Sequence, residues 1–430
     1  MTAAISNLSL HASDWWTIGT AAVCGVACGV PGVYLVLRRM SMLGDAISHA
    51  ILPGLAAAFL FFGTRDVLAM LAGAMATGML TAWLSAGVAR LGKVPEDAAM
   101  GVVFTSLFAL GVLLITLGSR NVDLDPGCVL YGLIDAVALD TRDVLGVAVP
   151  RSFLILSVFA VLNVSLVGVF YKELKIVSFD SALASALGFR SGVVHYTLLA
   201  MIAATCVASF EAVGSILVVA MLIVPGATAY LLTDRLSRML VIAAVVACVA
   251  AFAGHLLALA TGAAVAGAVS VALGGLFAGA ALFSPRYGVV ARALRRAALA
   301  LRIRREDALA NLYRAHEGRA AETRRAPGLL DHVAAWALRR QGLVVAKDGV
   351  SALTDAGLAR ARTLIRSHRL WETYLAERVG LPADHLHDPA HRVEHFITDE
   401  LRGELAGDVG TDVDPQGREI PPDRRAEGEP

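Results

Sequence analysis

Over the first two thirds of the chain, long apolar runs alternate with short polar punctuation; after that the pattern changes. Crossing the hydrocarbon of a bilayer takes about 20 mostly apolar residues. Nine runs approach that length, at 17–37, 45–62, 67–89, 99–118, 152–171, 194–210, 213–233, 239–260 and 263–283. The junctions near 211 and 261 are tight, so eight spans fit the same pattern. From residue 286 the apolar positions return to the spacing of amphipathic helices, predicted at 286–304, 305–317, 329–341 and 355–379. Two short β-rich runs flank Lys347-Asp-Gly349 and read as a hairpin, so helix followed by hairpin suggests a winged helix. Thr354 or Asp355 can cap the helix that follows. The expected fold is an all-α polytopic membrane bundle followed by a mostly helical soluble domain.

Charge sharpens that division. Of 430 residues, 1–285 hold 13 Lys/Arg and 14 Asp/Glu, whereas 286–430 hold 24 and 22. One chain thus contains a lipid-soluble stretch and a water-soluble domain, which rules out a single globular enzyme, a secreted disulfide scaffold and a disordered chain. A net charge of +1 argues against a chain whose main task is to coat nucleic acid. All five cysteines lie in the apolar part without zinc-ribbon spacing. Cys24 and Cys28, one helical turn apart, read as small packing residues or as a soft-metal pair. Asp14 and two tryptophans lead into the first run, with no basic n-region or cleavage site of a signal peptide. Arg38, Arg39, Arg90, Lys93, Lys172, Lys175, Arg190, Arg235, Arg238 and Arg286 fall on one side if the first span runs inward, leaving Arg65, Arg120, Arg142 and Arg151 opposite. That asymmetry puts the N-terminus outside and the C-terminal domain in the cytoplasm. The longest outer connection, about 119–151, contains Asp123, Asp125, Asp135, Asp140 and Asp143. It reads as a cation-attracting vestibule or as a solvated loop with a short amphipathic helix.

Within the apolar part, Asp45 and His49 sit four residues apart and share one helix face. Ionisable groups in lipid cost several kcal/mol unless they pair or line a cavity. Carboxylate oxygen plus imidazole nitrogen suits a borderline divalent ion such as Mn(II), Fe(II) or Zn(II). Pro53-Gly54 then interrupts the helix, as in broken transport helices. An internal Asp–His hydrogen bond is the other reading. His195 and His255 are lone residues near span ends and read as interfacial.

The stretch Arg39-Met-Ser-Met-Leu-Gly-Asp45-Ala-Ile-Ser-His49-Ala-Ile-Leu-Pro-Gly54 resembles the signature of permease subunits of manganese/zinc/iron ABC transporters. Glu96-Asp-Ala-Ala-Met-Gly101, Phe179-Asp-Ser-Ala-Leu-Ala-Ser-Ala-Leu-Gly188 and Val213-Gly-Ser through Pro225-Gly-Ala-Thr-Ala agree, in family order, over about residues 15–290. The resemblance implies a homodimeric or paired permease in the bacterial plasma membrane. Its partners would be cytoplasmic ATPase subunits, an extracytoplasmic metal-binding protein and membrane lipid. It also implies that Asp45 and His49 contact the transported metal and that 179–188, with Phe179, Asp180 and Gly188, is the ATPase-coupling segment. The chain contains no GxxxxGK[ST] phosphate loop, so it binds no nucleotide through one, and ATP hydrolysis falls to a partner. It is not expected to be an enzyme.

In the soluble part, seven of the chain's eleven histidines occur, five of them between 368 and 395. His368 and Glu372 stand at i and i+4, and His387, His391, Glu394 and His395 follow, the last three expected on one helix face. Mixed His/carboxylate donors without Cys suit Mn(II) or Fe(II) and admit Zn(II). Arg366-Ser-His-Arg-Leu-Trp-Glu, His387-Asp-Pro-Ala-His-Arg-Val-Glu-His395 and Asp414-Pro-Gln-Gly-Arg-Glu-Ile-Pro421 resemble the diphtheria-toxin-repressor/manganese-repressor family over about 304–422. That resemblance implies one metal site from Asp307, His391, Glu394 and His395 and another from His368, Glu372 and His387. The stretch Tyr313 to Gly342 is shorter than the family's DNA-reading helices, so DNA binding is doubtful.

The expected organisation is a permease domain (1–285), a basic helical linker (286–304), a degenerate winged-helix-like region (305–355), metal-binding/dimerisation helices (356–422) and a disordered tail (423–430). The function expected is uptake of Mn, Fe or Zn with a cytoplasmic metal sensor acting on transport. The alternative is a membrane-tethered, metal-dependent transcription regulator.

Overall fold

In a computed structural model the chain forms two compact units, Met1–Ala291 and Arg292–Pro430. The description covers residues 11–40, 42–62, 67–118, 132, 134–144, 146–318, 328–347 and 350–423. Asp123, Asp125, Cys128 and the expected disordered tail beyond Asp423 lie outside it.

The first unit begins with α1 (Ala12–Leu37), α2 (Met42–Ala50), α3 (Leu52–Phe62), α4 (Val67–Gly92) and α5 (Glu96–Gly118). A 3-10 turn (Ile134–Leu139) and an antiparallel hairpin of β1 (Thr141–Val144) and β2 (Val147–Pro150) lie between α5 and the next long helix. Then come α6 (Arg151–Val169), α7 (Tyr171–Phe179), α8 (Ser181–Ala186), α9 (Ser191–Val213), α10 (Ser215–Leu232), α11 (Leu236–Thr261) and α12 (Val265–Phe283). Among the described residues eight helices are long and apolar enough to cross a membrane: α1, α4, α5, α6, α9, α10, α11 and α12.

The expected span 45–62 is interrupted, as Pro53-Gly54 implies, into two short helices. Pro53 has no amide to donate to the His49 carbonyl, so α2 cannot run through. The chain turns at Ile51, whose carbonyl accepts from Gly54 and Leu55 at 3.0 and 3.1 Å to start α3. The two tight junctions are true breaks, each at a glycine of positive φ, Gly214 (80°) and Gly262 (70°).

α1 is the axis of this unit, packed against α6, α10 and α11. A β-carbon at Gly32 would collide with the Leu222 carbonyl oxygen of α10, so the two helices meet backbone to backbone. Pro31 lies inside α1 and leaves the Ala27 carbonyl without its helical donor. Asn163 of α6 supplies the replacement, donating from Nδ2 to that carbonyl at 2.8 Å and to Thr205 Oγ1 of α9 at 2.7 Å. One buried amide thereby ties three helices together where no water can satisfy the backbone.

The second unit contains most of α13 (Val289–His316), then α14 (Leu329–Arg340), the antiparallel hairpin β3 (Val344–Lys347) and β4 (Val350–Leu353), and α15 (Asp355–Tyr374), which continues as a π-helical turn to Val379. α16 (His387–Val393), a 3-10 turn (Glu394–Phe396) and α17 (Asp399–Asp408) follow. The expected break between 286–304 and 305–317 is absent. No Gly or Pro lies between Val289 and His316, and the Arg302–Glu306 pair (3.1 Å, i to i+4) spans the expected boundary. The hairpin and the Thr354 cap follow the sequence expectation, the Thr354 side chain accepting from the Gly357 amide at 3.1 Å. His391, Glu394 and His395 straddle a helix end instead of sharing one α-helix. The turn tightens at Glu394 because Thr398 must reach non-helical geometry to cap α17.

α15 serves two hydrophobic clusters. Ala361, Leu364 and Ile365 join Leu309, Tyr313 and Leu338, while Leu370 joins Ile397, Leu405, Val409 and Ile420. The polar residues Ser367, His368 and Arg369 lie between these two groups in sequence, buried on the same helix.

Candidate metal centres

Asp45 and His49 lie on α2, one turn apart, with Oδ1 and Nε2 separated by 3.5 Å. Both side chains are partly exposed. Phe104 stacks on the imidazole at 6.0 Å between centroids, and Phe108 meets it edge-on at 5.7 Å, so α5 provides an aromatic wall. Sequence reasoning missed these rings, because nothing in the linear pattern brings α5 to α2. The pair offers one oxygen and one nitrogen to a cation beside an apolar surface.

The segment 179–188 forms α8 and its flanks. Asp180 is the cap, its Oδ1 accepting from the Leu183 amide at 2.8 Å, and Gly188 ends the segment at φ +85°. Phe179 at the end of α7, Leu183 on α8 and Leu187 just after it are exposed apolar side chains. Of these three only Phe179 was singled out from sequence.

The second unit brings both expected donor groups together. Each of Asp307, His391, Glu394 and His395 offers a ligand atom within 4.8 Å of the others, and so do His368, Glu372 and His387. Asp307 comes from α13, His368 and Glu372 from α15, and the remainder from α16 and the turn after it. In the first group, His395 Nε2 lies 3.2 Å from Asp307 Oδ1 and His391 Nδ1 lies 3.0 Å from Glu394 Oε1. In the second, His368 Nε2 lies 3.0 Å from Glu372 Oε1, and His387 Nδ1 lies 3.2 Å from that oxygen. His368 also touches the first group, with Nδ1 at 2.6 Å from Glu394 Oε2. Glu306, which sequence reasoning missed, accepts at Oε2 from His395 Nδ1 at 2.9 Å and fixes that ring.

Burial and close pairing set the charges. Burial pushes Glu372 up, yet His368 and His387 bond to it and hold its carboxyl at about 2. Glu394 is likewise raised by burial and brought down to about 2 by contacts with His368 and His391. Burial lowers His395, but Asp307 and Glu306 more than reverse this and raise it to about 9. His391 is raised by its bond to Glu394.

The donor sets fit a divalent metal. Asp307 Oδ1, His368 Nδ1, Glu372 Oε2, Glu394 Oε2 and His395 Nε2 are buried and make no properly directed hydrogen bond, although several lie in close contact. Nitrogen and carboxylate oxygen atoms that converge at contact distance without well-directed hydrogen bonds are arranged to share an ion. Mn(II) or Fe(II) suits this set, and Zn(II) is compatible with it.

A bundle of eight apolar spans with an Asp–His pair on a broken helix, joined to a unit with two His/carboxylate groups, defines a metal permease carrying a metal-binding regulator-like domain. Residues 15–284 match the family described as ABC 3 transport family, and 354–422 match that described as iron dependent repressor, metal binding and dimerisation domain. The chain is 47% identical over 281 residues to the manganese transport system membrane protein MntD of Bacillus subtilis, covering 65% of this chain and 95% of that protein. It is 28% identical over 382 residues to the manganese transport system membrane protein MntC of the same organism, covering 86% of each. The solved structure of PsaBC from Streptococcus pneumoniae in complex with Fab matches at a TM-score of 0.55 and 30% identity, over 67% of this chain and 98% of that one. The chain belongs to the ABC 3 transport family and is a multi-pass membrane permease subunit.

Proposed function

We propose that this permease carries a divalent transition metal inward, powered by separate ATPase subunits, and that its C-terminal unit senses the metal that has entered. The observation that carries the reading is the coexistence, in one chain, of the Asp45–His49 pair and the two donor groups of the second unit. The relatives named for manganese transport support Mn(II) as cargo. Basic-residue asymmetry supports an outer N-terminus and a cytoplasmic C-terminal unit. The partners are two ATPase subunits docked at 179–188, an extracytoplasmic metal-binding protein and a second permease subunit.

Asp45 and His49 replace part of the ion's hydration shell, and the Phe104 and Phe108 wall keeps that exchange away from bulk water. Inside, metal held by Asp307, His391, Glu394 and His395 ties α13 to the helices that follow α15. Metal shifts a two-state arrangement only by binding one state better. A coupling of about 1–3 kcal/mol corresponds to roughly 5–150-fold in affinity. Feedback inhibition is the favoured sign, because internal metal is the product of transport. The presence of transport-site donors at α2 favours this reading over a tethered transcription regulator. So does α14, which exposes Leu329, Leu330, Val333 and Trp336 where a DNA-reading helix needs basic and polar side chains.

Asp45→Asn and His49→Ala should each lower radiolabelled Mn(II) uptake at least tenfold while the chain still inserts and retains its ATPase. Wild-type uptake by the double variant contradicts the assignment.

A further inference from the structure

A cavity of about 390 Å³ opens in the membrane unit at the end of the bundle that holds Arg38 and Ser191. Its polar lining comes from four helices or their ends: Arg38 after α1, Ser85 of α4, Ser181 of α8, and Ser191, Gly192, His195 and Tyr196 of α9. Among the described residues no carboxylate lines it.

Arg38 donates from Nη1 to His195 Nδ1 at 2.9 Å. A guanidinium cannot accept, so Nδ1 is the acceptor and the neutral ring carries its proton on Nε2. Among the described residues Arg38 has no carboxylate partner. A cation half removed from water with no counter-ion among the described residues favours an anion beside it.

Ser85 provides an independent sign. Its side chain is 3% exposed, and its Oγ has no hydrogen-bond partner. One and two turns earlier on α4, Thr81 and Thr77 donate back to carbonyls of their own helix, at 2.7 Å to Thr77 and 3.0 Å to Gly73. Ser85 breaks that habit and keeps a buried donor for something in the cavity. At the start of the 23-residue α9, the amides of Ser191, Val193 and Val194 bond locally, whereas that of Gly192 does not. Free amides at a helix start favour anions. Among the described lining residues a divalent cation would meet the Arg38 charge, neutral oxygens and an imidazole already engaged by Arg38, a poor set for the transported metal.

We propose that this cavity binds a phosphate oxyanion, donated to by Arg38, Ser85 and the first turn of α9. The phosphate belongs either to the headgroup of an anionic phospholipid or to free inorganic phosphate. Because Ser181 of α8 also lines the cavity, the ligand would steady the segment that, on the reading above, docks the ATPase. Binding itself does not depend on that reading and is measured without transport.

The test uses the purified full-length chain in two arms. In neutral maltoside detergent it is titrated with radiolabelled inorganic phosphate. In nanodiscs of phosphatidylcholine with a minor share of phosphatidylglycerol, bound lipid is counted by native mass spectrometry. One arm should give about one phosphate per chain: the first identifies free phosphate, the second a lipid headgroup. Charge-assisted bonds are the strong ones, so Arg38→Gln should lower retention about tenfold or more, and Ser85→Ala should lower it several-fold. Absence of retention in both arms overturns the proposal, as does retention by both variants equal to wild type. If Arg38→Gln does not insert, wild-type stoichiometry and Ser85→Ala still decide.

Discussion

His395 is protonated in the metal-free unit well above the usual imidazole range, at about 9, because Asp307 and Glu306 hold its two ring nitrogens against the opposing effect of burial. A metal must displace a proton from Nε2, so binding releases protons and competes with them. Affinity of the C-terminal unit for Mn(II) should therefore rise with pH up to about 9, tightening about tenfold per pH unit for each proton released. Calorimetry of the full-length chain in buffers of different ionisation enthalpy checks this; an affinity independent of pH between neutrality and 9 contradicts it. The carboxylates do not contribute there, because Glu372 and Glu394 titrate at about 2. Glu306 orients the His395 ring from behind. Glu306→Gln keeps an acceptor oxygen but loses the charge, and Mn(II) affinity should fall on the order of 10–100-fold, as for other groups that orient metal ligands. Its presence was invisible in the sequence, since the contact crosses 89 positions. Asp307 was reached only through a family resemblance, whereas His368 with Glu372 was legible from i, i+4 spacing alone.

Among the elements, Asn163 has the clearest structural duty. Replacing it by Leu fills similar space but leaves the Ala27 carbonyl, already deprived of its helical donor by Pro31, without a partner. Destabilisation of about 1–2 kcal/mol is expected, read as a lower midpoint of thermal unfolding in detergent. An unchanged midpoint would show that water or another donor reaches Ala27. Most spans were legible because a run of about 20 apolar residues has few alternatives. For 45–62 the apolar length points to one span and Pro53-Gly54 to an interrupted helix; the backbone follows the interruption, with α2 and α3 as separate helices. The expected break near 304 failed, because a change in composition was taken for a change in structure, while α13 runs on through an ion pair. Hydrogen bonding between helices, as at Asn163, leaves no linear trace.

In the whole molecule, a permease of the ABC 3 transport family and a repressor-like metal-binding unit share one polypeptide. Such fusion makes sense if, as proposed, metal delivered through one unit is reported by the other. The most direct measurement is the initial rate of radiolabelled Mn(II) uptake into vesicles containing the chain and its ATPase, with free Mn(II) preset on the side of the C-terminal unit. Feedback sensing predicts that the wild-type rate falls roughly fivefold or more as preset Mn(II) rises through the micromolar range. His391→Ala combined with His395→Ala should hold its rate at the uninhibited level. A wild-type rate indifferent to preset Mn(II), or a variant inhibited in parallel with wild type, would contradict the account.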